Sequence, residues 1–173
     1  MDFSYEPMDP ELDLGSWQGG EQAALRRLEE YMAGPIESYS ETKNNMLNWD
    51  SSSKLSPWLA NGCLSPRCIF EALRKREQLM ASASCYWLTF GLLVRDFFHF
   101  MARKHGNLIF TKGIVARTPR WTGGDHEFQL WSEGITGYPL VDANMLELRC
   151  SGWMSNRGRQ NVASFLIHDL QAS

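Results

Sequence analysis

Residues 82–104 most limit the folds open to this chain. Trp87, Phe90, Leu93, Val94, Phe97, Phe98 and Met101 recur there at helical spacing. With 3.6 residues per turn they fill most of a helix circumference, which predicts a helix central to the core. The run cannot cross a bilayer as an apolar span, because Arg95, Asp96 and His99 interrupt residues 86–101. Burying Arg95-Asp96 carries a large desolvation penalty unless the charges are paired. Two readings stay open for it: an ion pair tying helices together, or a ligand contact.

The flanking sequence is also helical in pattern. Residues 21–33 place Ala24, Leu25, Leu28, Tyr31 and Met32 on one face, with Arg26, Arg27, Glu29 and Glu30 opposite. Gly34-Pro35 stops that helix. Ser65-Pro66 reads as an N-cap followed by proline at the first helical position, opening a helix to about Leu79. Its predicted buried face is Ile69, Phe70, Leu73 and Leu79. Shorter helices are predicted over about 125–133, 140–151 and 155–170, the last with an apolar stripe of Val162, Phe165, Leu166 and Leu170. Residues 1–18 read as an acidic linker or tail, 35–57 as polar loop, and 105–124 as irregular and basic. No period-2 strand or internal repeat is visible. The fold class is therefore all-α, an irregular multi-helix domain over residues 19–173.

Composition narrows the function classes. Residues 1–41 hold ten acids and two basic residues, while 95–120 hold six Lys/Arg against Asp96 alone. A polyanion-facing surface and a solvated helix end are both consistent with that basic stretch. Cys63, Cys68, Cys85 and Cys150 lack metal-ligand spacing and the four His are scattered, so no metal site is expected. Apolar neighbours make the cysteines read as reduced, small core residues. The start of the chain has no signal-peptide pattern, and a soluble intracellular protein is expected.

Two polar stretches ask for a ligand. Residues 51–57, Ser51-Ser52-Ser53-Lys54-Leu55-Ser56-Pro57, offer hydroxyl and backbone donors with one cation, which suits a phosphate or only a linker. It is not a glycine-rich phosphate loop. Residues 153–161, Trp153-Met154-Ser155-Asn156-Arg157-Gly158-Arg159-Gln160-Asn161, crowd directional donors that suit an anion or a flat heterocycle. Nucleophilic triads and glycine-rich dinucleotide loops are absent from the sequence.

Taken together, these motifs resemble a known family. They are Gly19-Gly20-Glu21, Tyr39 with Glu41-Thr42-Lys43-Asn44, residues 52–60, Gly62-Cys63-Leu64-Ser65-Pro66-Arg67, Arg95-Asp96-Phe97-Phe98, residues 131–139, Val141-Asp142-Ala143-Asn144-Met145 and residues 152–165. In this order they look like the N-terminal part of the FAD-binding helical domain of the cryptochrome/DNA photolyase family, nearest its cryptochrome-DASH branch. The resemblance runs over about residues 19–170. It implies an FAD flavoprotein or photoreceptor, with blue-light-driven electron transfer that repairs cyclobutane pyrimidine dimers in single-stranded DNA.

By the same resemblance Tyr39 contacts the flavin nucleotide, and Ser52, Ser53, Lys54, Leu55 and Ser56 hold the FAD pyrophosphate. Arg95 lines the flavin and DNA-substrate cavity, Asn156 and Arg159 hold the flavin, and Arg157 faces DNA. Trp121 is the outer electron-transfer tryptophan, whereas Trp131 and Trp153 are read as core. The sequence departs from the family pattern at Gly91 and Val94, where the family has a lesion-contacting glutamate and a stacking tryptophan. Base stacking of that kind contributes ~1–3 kcal/mol, and glycine within a helix costs roughly 1 kcal/mol. Repair is therefore expected to be impaired. The family's antenna domain and later flavin-pocket segment are missing from the sequence, so a partial domain, truncated at both ends, is expected. A non-catalytic binding module and an inactive fragment are the alternatives. A monomer without membrane contact is expected, in the chloroplast, mitochondrion or nucleus if the chain is part of a longer protein.

Overall fold

The structure, a computed structural model, describes residues 17–47, 49–79, 81–110 and 122–171. All regular elements among the described residues are helical. They are α1 (Glu21–Ala33), α2 (Tyr39–Thr42), α3 (Ser56–Ala60), α4 (Pro66–Leu79), α5 (Ala83–His105), α6 (Asp125–Glu133), α7 (Pro139–Ser151) and α8 (Asn156–Ser164). Short 3-10 turns cover Pro35–Ser38, Trp49–Ser51 and Gly106–Phe110, and one π turn covers Phe165–Asp169. None of the described helices is long and apolar enough to cross a membrane. The described residues form two compact units, one drawn from Gln18–Thr118 and one from Trp17 with Pro119–Ser173.

In the first unit, α1 supplies Ala24, Leu28 and Tyr31 to a core shared with Ile36, Leu55, Trp58, Leu64, Ile69, Leu73 and Cys85. Burial of such side chains is the main favourable term in folding. The polar stretch 35–57 is more ordered than its sequence suggests. Thr42 Oγ1 lies 3.0 Å from both Ser38 O and Ser51 O, which share its single hydroxyl hydrogen, and Ser84 Oγ on α5 accepts from Ser40 N at 2.9 Å while donating to Glu37 O at 3.0 Å. Such turns are too short to carry a readable period and depend on these tertiary bonds.

α5 begins as expected. Ser82 is the N-cap, its hydroxyl accepting from Cys85 N at 3.2 Å. The expectation that this helix would be central to the core is overturned. Its buried residues are Ser84, Cys85 and Leu88, all near its start, where it packs on α2 and α4. Tyr86, Phe90, Leu93, Phe97, Phe98 and Phe100 are exposed, Phe97 by 57%. An apolar circumference says only that a helix can be covered on every side, not that this chain supplies the cover. Phe70 and Leu79 on α4 are likewise exposed, leaving Ile69 and Leu73 as its buried pair.

The second unit is organised around Val141, Met145, Met154, Val162 and Phe165, with Trp131 and Leu170 packed against them. Trp131 is a packing residue here, and its Nε1 donates to Val162 O at 2.9 Å. Asp142 is buried at the start of α7, and its carboxylate accepts from Thr136 N, Thr136 Oγ1 and Gly137 N at 2.8, 2.6 and 2.9 Å. Three donors satisfy a carboxylate that could not otherwise be buried. In the first turn of α6, Glu127 accepts from the N-cap Gly124 N at 2.8 Å, and that amide holds its carboxyl below the usual range.

Candidate functional site

The serine-rich loop lies between α2 and α3. Ser52 and Ser53 are half-buried, Lys54 and Leu55 are buried, and Ser56 opens α3 exposed to solvent. Lys54 has φ 57°, a left-handed conformation strained by about 1 kcal/mol for a residue with a Cβ. Leu55 follows at φ −81°, ψ −9°. Left-handed then right-handed backbone is the alternation that turns successive N–H groups toward one side, forming an anion-binding concavity.

Three successive carbonyls of this loop are held by neighbouring side chains. Ser51 O accepts from Thr42 Oγ1 at 3.0 Å. Arg27 of α1 donates through Nε to Ser53 O at 3.1 Å and through Nη2, at a longer 3.5 Å, to Ser52 O. The same guanidinium pairs with Asp50 Oδ1 at 2.9 Å and lies 5.4 Å from the Tyr31 ring centroid. Arg27 is only 8% exposed, so its placement on the solvent face of α1 is corrected. The signal was in the sequence: Ala24, Arg27, Leu28 and Tyr31 have the i, i+3, i+4, i+7 spacing of one helix face.

Tyr39 is half-buried at the start of α2, with its ring edge-on to Tyr31 at 6.4 Å. Burial raises the pKa of Tyr39. Burial and then the neighbouring Tyr39 raise that of Tyr31. The Tyr31 hydroxyl is buried with no hydrogen-bond partner among the described residues. Tyr39, Arg27 and residues 50–55 therefore form one neighbourhood in the first unit. Arg95, further along α5, is half-buried and its pair with the adjacent Asp96 spans 3.4 Å. Asp96 is 54% exposed, so the pair is a solvent-side contact, not the buried ion pair considered above. Gly91 is exposed, with nothing within 4 Å of where its Cβ would stand.

The polar cluster at 153–161 belongs to the second unit. Ser155 caps α8, its hydroxyl accepting from Gly158 N at 2.9 Å. Arg159 Nε donates to Met154 O at 3.1 Å, and Arg157 donates to Gln160 Oε1 at 2.9 Å. Asn156, Arg157, Arg159 and Gln160 are exposed, whereas Gly158 is buried against α7. A Cβ on Gly158 would overlap the Asn144 side chain and crowd Met154, so any larger residue here forces those side chains to shift. Trp121 lies outside the described residues. The described residues contain no group of His, Cys, Asp and Glu that could hold a metal ion.

Residues 87–173 match the family profile described as the FAD binding domain of DNA photolyase. The chain belongs to the cryptochrome/DNA photolyase family. Within it, the chain is 51% identical over 159 residues to a cryptochrome DASH of Synechocystis sp., and 48% identical over 169 residues to one of Danio rerio. These alignments cover 90% and 95% of this chain but 32% of each relative. The chain thus spans about a third of the length of the curated relatives it matches. The crystal structure of the Synechocystis cryptochrome superposes with a TM-score of 0.88 at 50% identity, covering 92% of this chain and 34% of that one. A class III photolyase from Agrobacterium tumefaciens superposes with a TM-score of 0.84 at 31% identity, covering 96% and 35%.

Proposed function

We propose that residues 19–173 are an FAD-holding part of a cryptochrome-DASH-like flavoprotein domain, preceded by a linker at 1–18. The observation that carries this reading is the 51–55 loop. Its carbonyls are bound by Thr42 and Arg27, and its backbone reverses at a strained Lys54. Strain at a non-glycine residue persists where surrounding bonds impose it, and such sites cluster at ligand clamps. The loop fits a pyrophosphate, which takes convergent N–H donors and a cation rather than a hydrophobic pocket.

In this reading Ser52, Ser53, Lys54, Leu55 and Ser56 hold the FAD pyrophosphate, and Tyr39 packs on the nucleotide. Asn156 and Arg159 hold the flavin ring, Arg95 lines the substrate side, and Arg157 meets the DNA backbone as a phosphate contact. Trp121 is the outer tryptophan of the electron-transfer chain. When bound, reduced FAD supplies the light-driven electron that splits a cyclobutane pyrimidine dimer in single-stranded DNA. A dimer reaches such a site only after leaving its stack. Gly91 presents no carboxylate to that lesion and Val94 no π face, so repair by this chain is impaired. Those two residues favour a second reading, a nucleotide- or nucleic-acid-binding module without repair activity.

The test is to purify the chain, record its flavin absorbance, and follow its melting temperature with added FAD. At 100 times Kd, binding stabilises the folded state by about 2.7 kcal/mol. No shift at saturating FAD would remove the FAD reading and leave only a module that binds nucleic acid or another nucleotide. Lys54→Ala is expected to weaken FAD retention, and equal affinity would remove the loop assignment. If FAD binds, blue light with a dimer-containing oligonucleotide separates repair from binding, and unchanged dimer content leaves the binding module.

A further inference from the structure

Arg27 sits outside the nucleotide-contacting residues assigned above, yet it makes three of the bonds that shape the loop. Its Nε holds Ser53 O at 3.1 Å, and its Nη2 holds Asp50 Oδ1 at 2.9 Å and reaches Ser52 O at 3.5 Å. A trans peptide points the N–H of the next residue antiparallel to its own carbonyl. Fixing Ser52 O and Ser53 O on Arg27 therefore turns Ser53 N–H and Lys54 N–H to the opposite side. Thr42, by holding Ser51 O, does the same for Ser52 N–H. Fork geometry matters, because one rigid guanidinium takes a carboxylate and two carbonyls together, which a lysine ammonium cannot match. Arg27 is itself fixed: it is buried in α1 and stacked against Tyr31.

We infer that Arg27 is a positioning residue that sets the direction of the loop's N–H groups toward a nucleotide pyrophosphate. It acts from behind the loop, through main-chain carbonyls, and need not touch the ligand. The inference rests on the phosphate reading of the loop given above. It adds a residue from α1, far from the loop in sequence, to the determinants of nucleotide affinity.

The experiment measures the affinities of FAD and of inorganic pyrophosphate for the purified chain and for Arg27→Met, Arg27→Lys and, as a control on the same helix, Arg26→Met. Amide hydrogen exchange across residues 51–55 is followed in the ligand-free proteins. Arg27→Met is expected to lower both affinities by about tenfold, the scale of losing one charge-assisted hydrogen bond, and to speed exchange in the loop. Arg27→Lys restores part of the affinity and Arg26→Met changes nothing. Unchanged affinity in Arg27→Met, or a loss for FAD without one for pyrophosphate, overturns the inference. So does an Arg27→Lys protein with native melting temperature and no recovery. If Arg27→Met does not fold, Arg27→Lys and Asp50→Asn carry the comparison, each expected to lower both affinities, and unchanged values in both overturn it. A wild-type chain that binds neither probe overturns the phosphate reading and this inference with it. A wild-type chain that binds both while Arg27→Met binds equally well overturns this inference alone.

Discussion

The two polar stretches of this chain, residues 51–55 and residues 153–161, look equivalent as lists of donors and differ as structures. In the first, the polarity that matters is main-chain. Arg27 and Thr42 bind three carbonyls, Lys54 is buried at a positive φ, and Leu55 anchors the exit in the core. In the second, side chains bond mainly within their own turn. Ser155 caps α8, Arg159 reaches Met154 O, Arg157 reaches Gln160, and Gly158 seats the helix on α7. The first stretch is shaped from outside, by a residue on another helix. The second is shaped by capping and close packing, which hold a row of exposed side chains in place. A count of donors cannot separate these cases, because the distinction lies in which groups already have partners.

Substitutions can break or sharpen that contrast. The largest effect is expected at Gly158→Ala, where a methyl must displace Asn144, whose Nδ2 also donates to Leu140 O. Overpacking of this kind costs about 3 kcal/mol. Chemical denaturation checks it, and a change under 1 kcal/mol would mean that α7 and α8 separate easily. Next is the backbone reversal at Lys54. Lys54→Val is expected to be about 2 kcal/mol less stable than Lys54→Gly, because a β-branched residue is poorly tolerated at positive φ. Equal stability of the two variants would remove the strain argument. Ser155→Ala, which removes the cap of α8, is expected to cost about 1 kcal/mol and to lower helicity by circular dichroism. An unchanged spectrum and midpoint would show the cap to be dispensable.

The smallest effect at neutral pH belongs to Tyr31→Phe, because the hydroxyl removed has no partner among the described residues. Loss of an unsatisfied buried hydroxyl is expected to change stability by less than about 1 kcal/mol, toward greater stability. Alkaline pH makes the effect visible. Burial raises the tyrosine's pKa in the folded state, so its contribution is complete below the unfolded value of about 10 and declines as pH rises beyond it. Tyr31→Phe should therefore lose less melting temperature than wild type between pH 8 and 11. Tyr39, shifted in the same direction, leaves some of the slope in place. A slope as steep as wild type would exclude Tyr31 as its source.

Much of the fold was legible in one dimension. α1 spans Glu21–Ala33 as the apolar spacing and Gly34-Pro35 stop predict, and α4, α5, α6 and α7 start within a residue or two of their expected positions. These are long or well-capped segments, where the 3.6-residue period and local stop signals decide the outcome. The short turns at 35–51 were not legible, since three or four residues hold no period. The family, too, was legible, because long motifs in a fixed order carry more information than composition.

The sequence by itself determined the helical class, the main helix boundaries, the family and which two stretches are rich in donors. These follow from local propensity, capping and motif order. Tertiary structure alone decided the rest. It bound Arg27 to the loop carbonyls, left Arg95-Asp96 at the solvent side, and exposed the aromatic face of α5. The physical reason is common to all three. Burial and hydrogen-bond partnership depend on which elements meet, and a period along one helix states only which face is available to be met.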